Sequence, residues 1–338
     1  MGNDQLDLDA LTSYLLPRVP EIDELLSAEK FSDGQSNPTY LLTTATGEYV
    51  LRRQPTGELL KSAHAVDREF RVIKALQGSE VPVARAIHLC QDRDVIGSLF
   101  YIMSYQRGRI FWDPTLPELS NSQRRDIYTE MNRVLAALHD IDVEAVGLSD
   151  FGRPGSYFER QISRWSGQYR ASEIEPIAAM DKLIEWLPQN MPLDDGKVSL
   201  IHGDYRIDNI IFDSSSTEAR ALLDWELSTL GHPYADLAYQ CMQWRMDGDC
   251  VIPGLGDIER NSLGIPSEAD YVALYCQRRG LESIPDWNFY LVFGFFRFAA
   301  ILQGVLKRAL EGNASSEKAF DYGALAPVLA CKAVSLIE

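Results

Sequence analysis

The stretch VSLIHGDYRIDNIIFDSSSTEARALLD, residues 198–224, constrains the fold of this chain more than any other. Helical periodicity dominates the sequence on both sides of it and stops inside it. Val198–Ile201, Asn209–Phe212 and Arg220–Asp224 read as three short apolar strands joined by polar turns. Strands this short survive only when packed on something larger, and the flanking sequence supplies helices. Gln123–Asp140 carries Ile127, Met131, Val134, Leu135 and Leu138 on one face. Ser156–Ala171 and Ile177–Leu187 follow, with Pro188 as the stop for the second. Beyond Asp236 the pattern is again mostly helical.

The first third has a different character. Leu6, Leu8, Leu11, Leu15 and Leu16 suggest a short helix. Thr39–Thr44 and Glu48–Arg53 are strand-like, with a turn at Ala45-Thr46-Gly47. Ser62–Leu76 reads as a helix with Val66, Phe70, Ile73 and Leu76 on one face. A second hairpin joins Ala86–Cys90 to Leu99–Ser104 through a polar turn around Asp92–Asp94. The expected class is therefore α+β. A small antiparallel-sheet lobe, residues 1–105, precedes a larger helical lobe, residues 106–338, and Tyr105–Gly108 serves as the connection.

Bulk composition removes several functional classes. The chain has 338 residues, of which 46% are hydrophobic, enough for a substantial core. Its formal charge of −17 opposes binding to nucleic acid or anionic membrane, both of which need a basic face. The cysteines Cys90, Cys241, Cys250, Cys276 and Cys331 are scattered and form no CxxC, so neither a disulfide framework nor a zinc site is expected. The acidic start MGNDQLDLDA has no apolar signal region, and the expected location is cytoplasmic. The apolar run Phe289–Val305 approaches bilayer length, but Arg297 at its centre would cost about 2.5–3.5 kcal/mol on insertion scales. A buried core helix is the expected reading.

The strand ends of the central stretch carry the chemistry. Asp204 stands in the loop after the first strand, Asn209 opens the second, and Asp224 ends the third. Two carboxylates and an amide presented at one rim suit phosphoryl transfer. That reaction needs a group to orient or deprotonate the attacking hydroxyl, oxygen ligands for magnesium, and cations on the phosphates. Asp204 is the candidate general base, and Asn209 and Asp224 are the candidate magnesium ligands. Taken singly, each is also an ordinary turn former at a strand end.

HGDYRIDN resembles the catalytic loop of the aminoglycoside phosphotransferase family, which is similar to the HRDxxxxN loop of protein kinases. Asp224-Trp225-Glu226 stands where protein kinases have Asp-Phe-Gly. The resemblance covers nearly the whole chain and implies a protein-kinase-like two-lobed fold using ATP and magnesium. By the same resemblance His202 is mainly structural, and Asp236 in GHPYADLA braces the catalytic loop, a role compatible with capping a helix. Glu226 either reaches a metal or has an exposed or bracing role.

The matches in the first lobe are looser. FSDGQSNPTY sits where a nucleotide loop belongs but holds only Gly34 in place of GxGxxG. Gly34, Gln35, Ser36 and Asn37 are its candidate phosphate-binding residues, offering backbone N–H groups. YVLRR looks like the kinase VAIK strand with Arg52 in the lysine's place, and Arg53 is the alternative in register. Glu69 resembles the helix glutamate that holds this cation, with Arg68 as its local competitor. Met103 and Tyr105 fall in the segment resembling the adenine-reading hinge.

Within the family, SDGQSNPTY, VLRRQPTG, SAHAVDREFRVIKAL and FFRFAAILQGVLKR look most like the kinase-like portion of certain acyl-CoA dehydrogenase fusion proteins. That resemblance implies a small-molecule hydroxyl acceptor, a hydroxyacyl-CoA among the candidates. Acceptor contacts are expected around Tyr157–Trp165, Tyr239–Trp244 and Trp287–Arg297. An aminoglycoside acceptor, and a pseudokinase that binds nucleotide or a partner without turnover, are the alternatives.

Overall fold

The structure is a computed structural model that describes residues 6–31, 37–55, 64–312 and 318–338. The chain divides into two compact units, Met1–Arg109 with Arg220–Glu226, and Ile110–Ala219 with Leu227–Glu338. The first unit is thus discontinuous in sequence, which a boundary drawn at one point along a chain has no means of expressing.

Helix α1 (Leu8–Leu15) opens the first unit, its N-terminus capped by the Asp7 carboxylate accepting from the Ala10 N–H at 2.9 Å. Leu11 and Leu15, one turn apart, are fully buried in the sheet core, each worth about 1.5–3 kcal/mol of burial. The sheet is antiparallel throughout, in the order β1 (Leu25–Lys30), β2 (Thr39–Thr44), β3 (Glu48–Arg53), β5 (Phe100–Ser104), β4 (Ala86–Cys90). Both expected hairpins are present. The Thr44 hydroxyl fastens the first turn by accepting the N–H groups of Thr46 and Gly47 at 3.2 and 3.0 Å. Edge strand β1 was not expected, because LLSAEK leaves most of its length partly exposed and shows no clean alternation. Helix α2 (Val66–Leu76) packs on β4 and β5 and buries the expected stripe of Val66, Phe70, Ile73 and Leu76. The returning segment is fastened by the Leu222 N–H donating to the Pro82 carbonyl at 2.8 Å.

The second unit is mainly helical. Helix α3 (Asn121–His139) begins with a capping box of Ser120 and Gln123. Helix α4 (Tyr157–Ser172) and α5 (Ala178–Gln189) follow, with Pro188 in the last turn of α5. Then come β6 (Ser199–Ile201), β7 (Ile210–Phe212) and β9 (Thr229–Gly231), with β6 and β9 paired antiparallel, while β8 (Ala219–Leu222), between β7 and β9 in sequence, lies almost wholly in the segment belonging to the first unit. Helices α6 (Tyr234–Cys241), α7 (Arg260–Leu263), α8 (Glu268–Arg278), α9 (Trp287–Leu310) and α10 (Ala319–Val334) complete the chain. Helix α9 is long and apolar enough to cross a membrane by length and composition, yet its most apolar window is 78% buried inside the protein. It packs against α4, α5, α6 and α10.

Two expected strand boundaries move. Asn209 belongs to a 3-10 turn, Ile207–Asn209, so the strand starts one residue later. The third strand stops at Leu222, and Asp224 sits beyond it in left-handed backbone at φ +61°. Aspartate is one of the few residues that adopts this conformation at modest cost.

Candidate active site

In the second unit Asp204 and Asn209 meet directly. The Asn209 side-chain amide donates to the Asp204 backbone carbonyl at 2.9 Å and to its carboxylate Oδ2 at 3.1 Å. This orientation leaves the Asn209 Oδ1 oxygen as the free end of the amide. Tyr239 and Arg206 both lie close enough to the Asp204 carboxylate to feel its charge. Arg206 itself is gripped by Asp208, Nε to Oδ1 at 3.0 Å and Nη2 to Oδ2 at 2.5 Å.

The loop that carries Asp204 is held from beneath. The fully buried Asp236 carboxylate accepts the His202 N–H at 2.6 Å and the Gly203 N–H at 2.8 Å, one on each oxygen. Asp236 lies in the first turn of α6 but makes no cap bond there. Its carboxylate faces the loop, so the bracing role accounts for its contacts and the capping role does not. Buried His139 stands 3.4 Å from Asp236 through Nε2, and its Nδ1 pairs with the Tyr275 hydroxyl at 2.7 Å. From the other side Arg297 of α9 donates to the Gly203 carbonyl at 2.7 Å while lying over the rings of Trp165 and Tyr239. The charge that interrupts the apolar run is therefore a second brace for the loop. Gly203 has φ +85°, and a Cβ there would stand 2.6 Å from the Leu227 carbonyl oxygen, so the position excludes any side chain. His202 is fully buried, and its Nδ1 accepts the Asp204 N–H at 3.2 Å.

In the first unit Arg52, Glu69 and Asp224 form one cluster. Arg52 pairs with Glu69 (Nε to Oε2, 2.8 Å) and with Asp224 (Nη2 to Oδ1, 2.8 Å), and Glu226 lies 3.9 Å from the same guanidinium. Glu69 is buried and receives two more donors, Asn37 Nδ2 at 2.7 Å and the Tyr101 hydroxyl at 3.2 Å. Burial works against the Arg52 charge, but Glu69, Tyr101, Asp224 and Glu226 outweigh it and hold the guanidinium above its ordinary pKa. Burial pushes the Glu69 carboxyl up, against the downward pull of Arg52 and its two neutral donors. Arg53 faces the other way and lies over the Tyr40 ring with Nη2 at 3.3 Å from the hydroxyl. The choice of Arg52 over its neighbour as partner of the helix glutamate is settled by the pleat.

Asn37 is spent on Glu69 and on His64, whose Nδ1 is 3.0 Å from Asn37 Oδ1. Gly34, Gln35 and Ser36 lie outside the described residues. Met103 is paired in β5 opposite Val50 and Ala86, and Tyr105 just beyond it stacks on Phe31 at 6.5 Å. Among the described residues no cluster of three His, Cys, Asp or Glu side chains could hold a metal by itself. Magnesium does not need one, because it takes one or two protein oxygens and fills its shell with phosphate and water. Tyr239 is the site residue that sequence reasoning placed only as a neighbour. Its aromatic context gave no sign of its place beside Asp204.

A family model for the phosphotransferase enzyme family, APH, matches residues 27–276. The chain belongs to the APH phosphotransferase family. The crystal structure of a "putative aminoglycoside phosphotransferase" from Ralstonia eutropha JMP134 is 46% identical, covers 98% of each chain and superposes with a TM-score of 0.90. Spectinomycin phosphotransferase APH(9)-Ia, at 14% identity and a TM-score of 0.65, shares the kinase-like fold. Mouse acyl-CoA dehydrogenase family member 10 is 47% identical over 302 residues, 89% of this chain and 28% of that protein. Human acyl-CoA dehydrogenase family member 11 is 41% identical over 331 residues, 96% of this chain and 42% of that protein. This APH chain thus spans well under half the length of these relatives. Its architecture is the expected α+β, kinase-like one, a small antiparallel sheet followed by a larger helical part.

Buried His139 and His232 and half-buried His88 make the stability of this APH protein sensitive to acid. His88, His139 and His232 all have pKa values below the ordinary one, in each case chiefly because burial disfavours the imidazolium. The folded value lies below the unfolded one, near 6.5, so the neutral ring is favoured in the folded state. That stability is complete above about pH 6.5 and drains away as pH falls toward the folded values. Thermal melts between about pH 7.5 and 5 should show the midpoint dropping as the buffer is made more acidic. A flat midpoint over that window would contradict the burial argument.

Proposed function

We propose that this chain transfers the γ-phosphoryl group of ATP to a hydroxyl of a small hydroxyacyl thioester. The observation that carries the reaction type is the Asp204–Asn209 pair on a loop fixed at both amides by buried Asp236. Membership of the APH family supports it, as do the Asp-to-Asn spacing and the Arg52–Glu69 ion pair. The relatives named as acyl-CoA dehydrogenase family members, 41–47% identical, support a CoA-linked acceptor.

In this reading residues of the first unit bind the nucleotide, with Arg52 meeting phosphate oxygens while Glu69 fixes its fork. Met103 and Tyr105 lie on the segment that takes adenine. Asp204 accepts a hydrogen bond from Asn209 and orients the attacking hydroxyl. The acceptor oxygen forms a bond to the γ-phosphorus as the bond to the bridging oxygen breaks. ADP departs with that electron pair, and the hydroxyl proton passes to Asp204 and then to solvent. Asn209 Oδ1 in the second unit is a hard oxygen donor suited to magnesium, and so, in the first unit, is the Asp224 carboxylate, which is 34% exposed. Bound magnesium supplies neutralisation of phosphate charge.

The test is incubation with ATP and magnesium against short hydroxyacyl-CoA thioesters, free hydroxy acids and aminoglycosides, with mass detection of products. A phosphorylated thioester and stoichiometric ADP are expected. Phosphorylation of aminoglycosides alone would instead favour the activity named for the Ralstonia relative. Nucleotide binding without any transfer would establish the pseudokinase alternative.

A further inference from the structure

Beside Asp204 the second unit has a shallow crevice that encloses about 20 Å³, or about 300 Å³ with its open mouth, lined by Arg206, Tyr239, Gln240, Met242, Gln243, Met246, Ile252, Pro253 and Phe298. Two of these residues tie it to the reaction centre: Arg206 lies two residues from Asp204 on the same loop, and both Arg206 and Tyr239 are close enough to feel its charge. Gln240 is only 1% exposed, yet neither its Nε2 nor its Oε1 has a hydrogen-bond partner among the described residues. The Oε1 atom of Gln243, one helical turn on, is likewise buried and unpartnered. A buried amide left unmatched costs about 1–3 kcal/mol, so a protein retains such a group where something else completes it.

The lining sets the chemistry of what fits. Five walls are apolar, and no carboxylate lines the crevice. Its single cation, Arg206, is already compensated by Asp208. A polycationic aminosugar therefore meets no counter-charge here, and an anion gains none from Arg206. One amide donor and two amide acceptors suit a neutral group that brings a carbonyl oxygen together with an O–H or N–H on a short aliphatic chain.

We propose that the Gln240–Gln243 crevice is the acceptor subsite, in which Gln240 Nε2 donates to the carbonyl of a hydroxyacyl chain and the two Oε1 atoms accept from its hydroxyl or a neighbouring amide. Gln240 then sets specificity for hydroxycarbonyl acceptors over aminosugars. The inference rests on the phosphotransferase reading above.

The experiment measures KM for a short hydroxyacyl-CoA and for ATP in wild type, Gln240→Leu and Gln243→Leu. Loss of the amide should raise KM for the thioester by about tenfold or more in Gln240→Leu and less in Gln243→Leu, while KM for ATP stays within about twofold. The melting point of Gln240→Leu should not fall, because an apolar group of similar shape replaces an unmatched amide. Should that variant nonetheless fail to fold, the half-buried Gln243→Leu carries the same comparison. Thioester KM unchanged in the folded variants, with wild type active, overturns the subsite and leaves the reaction standing. Wild type that phosphorylates kanamycin and no thioester also overturns it. No transfer to any acceptor overturns the phosphotransferase reading itself, and the subsite with it.

Discussion

Asp204→Asn should reduce phosphoryl transfer by about 10²–10⁴-fold while leaving nucleotide affinity near the wild-type value. The substitution preserves volume and keeps an oxygen for the Asn209 amide, so the loop has no reason to collapse. What it removes is the basic oxygen that, in the proposed mechanism, orients and receives the hydroxyl proton. Single-turnover phosphoryl transfer and an independent fluorescence titration with ADP separate the two effects. Arg52 and Glu69, the assigned nucleotide residues, make their ion pair with each other and not with Asp204. Equal loss of ADP binding and transfer would therefore show a folding defect. Wild-type transfer in the variant would remove Asp204 from the reaction altogether.

The parts of this site that sequence made legible are those where chemistry fixes spacing. Asp204 and Asn209 must be five residues apart for one side chain to reach both the backbone and the carboxylate of the other, and the structure shows that double contact. The stripe of α2 and the two hairpins were equally readable, because burial on one face imposes a period. Strand β3 was harder. Tyr49, Val50, Leu51 and Arg53 are all buried, so alternation alone could not say which arginine faces Glu69. That choice depends on a helix distant in sequence.

Other features were hidden for the same reason. Arg297 looks in sequence like an interruption of an apolar helix; only packing shows it donating to the Gly203 carbonyl. Gln240 is one more glutamine on a helix until its neighbours in space are known to offer it nothing. The left-handed backbone at Asp224 is invisible to strand periodicity, which carried the strand two residues too far. Residues whose role is set by non-local partners are the ones a one-dimensional pattern misses, and here they cluster around Asp204 and Arg52.

The second large effect follows from Asp236. Asp236→Ala should destabilise the protein by about 3–5 kcal/mol, because two buried backbone N–H groups, of His202 and Gly203, lose their acceptor together. Gly203 cannot shift to find another, since left-handed backbone and the Leu227 carbonyl confine it. His139 would keep its bond to Tyr275 but lose its carboxylate neighbour. Urea unfolding measures the loss as a lower midpoint at unchanged slope. Asp236→Asn retains one acceptor oxygen and turns an NH₂ toward the other backbone donor, so it should fall between wild type and alanine. The acid response distinguishes the variants further. Burial pushes the Asp236 carboxyl up, but His139 and His202, the latter through its N–H and its charge, outweigh it and hold the carboxyl below the ordinary carboxylate range. Its contribution is therefore present above about pH 4 and lost as pH falls through the lower folded value. Asparagine has no such titration, so the gap between wild type and Asp236→Asn should narrow in strong acid. A midpoint unchanged by Asp236→Ala, with activity lost, would move Asp236 from bracing the loop to acting in the transfer itself.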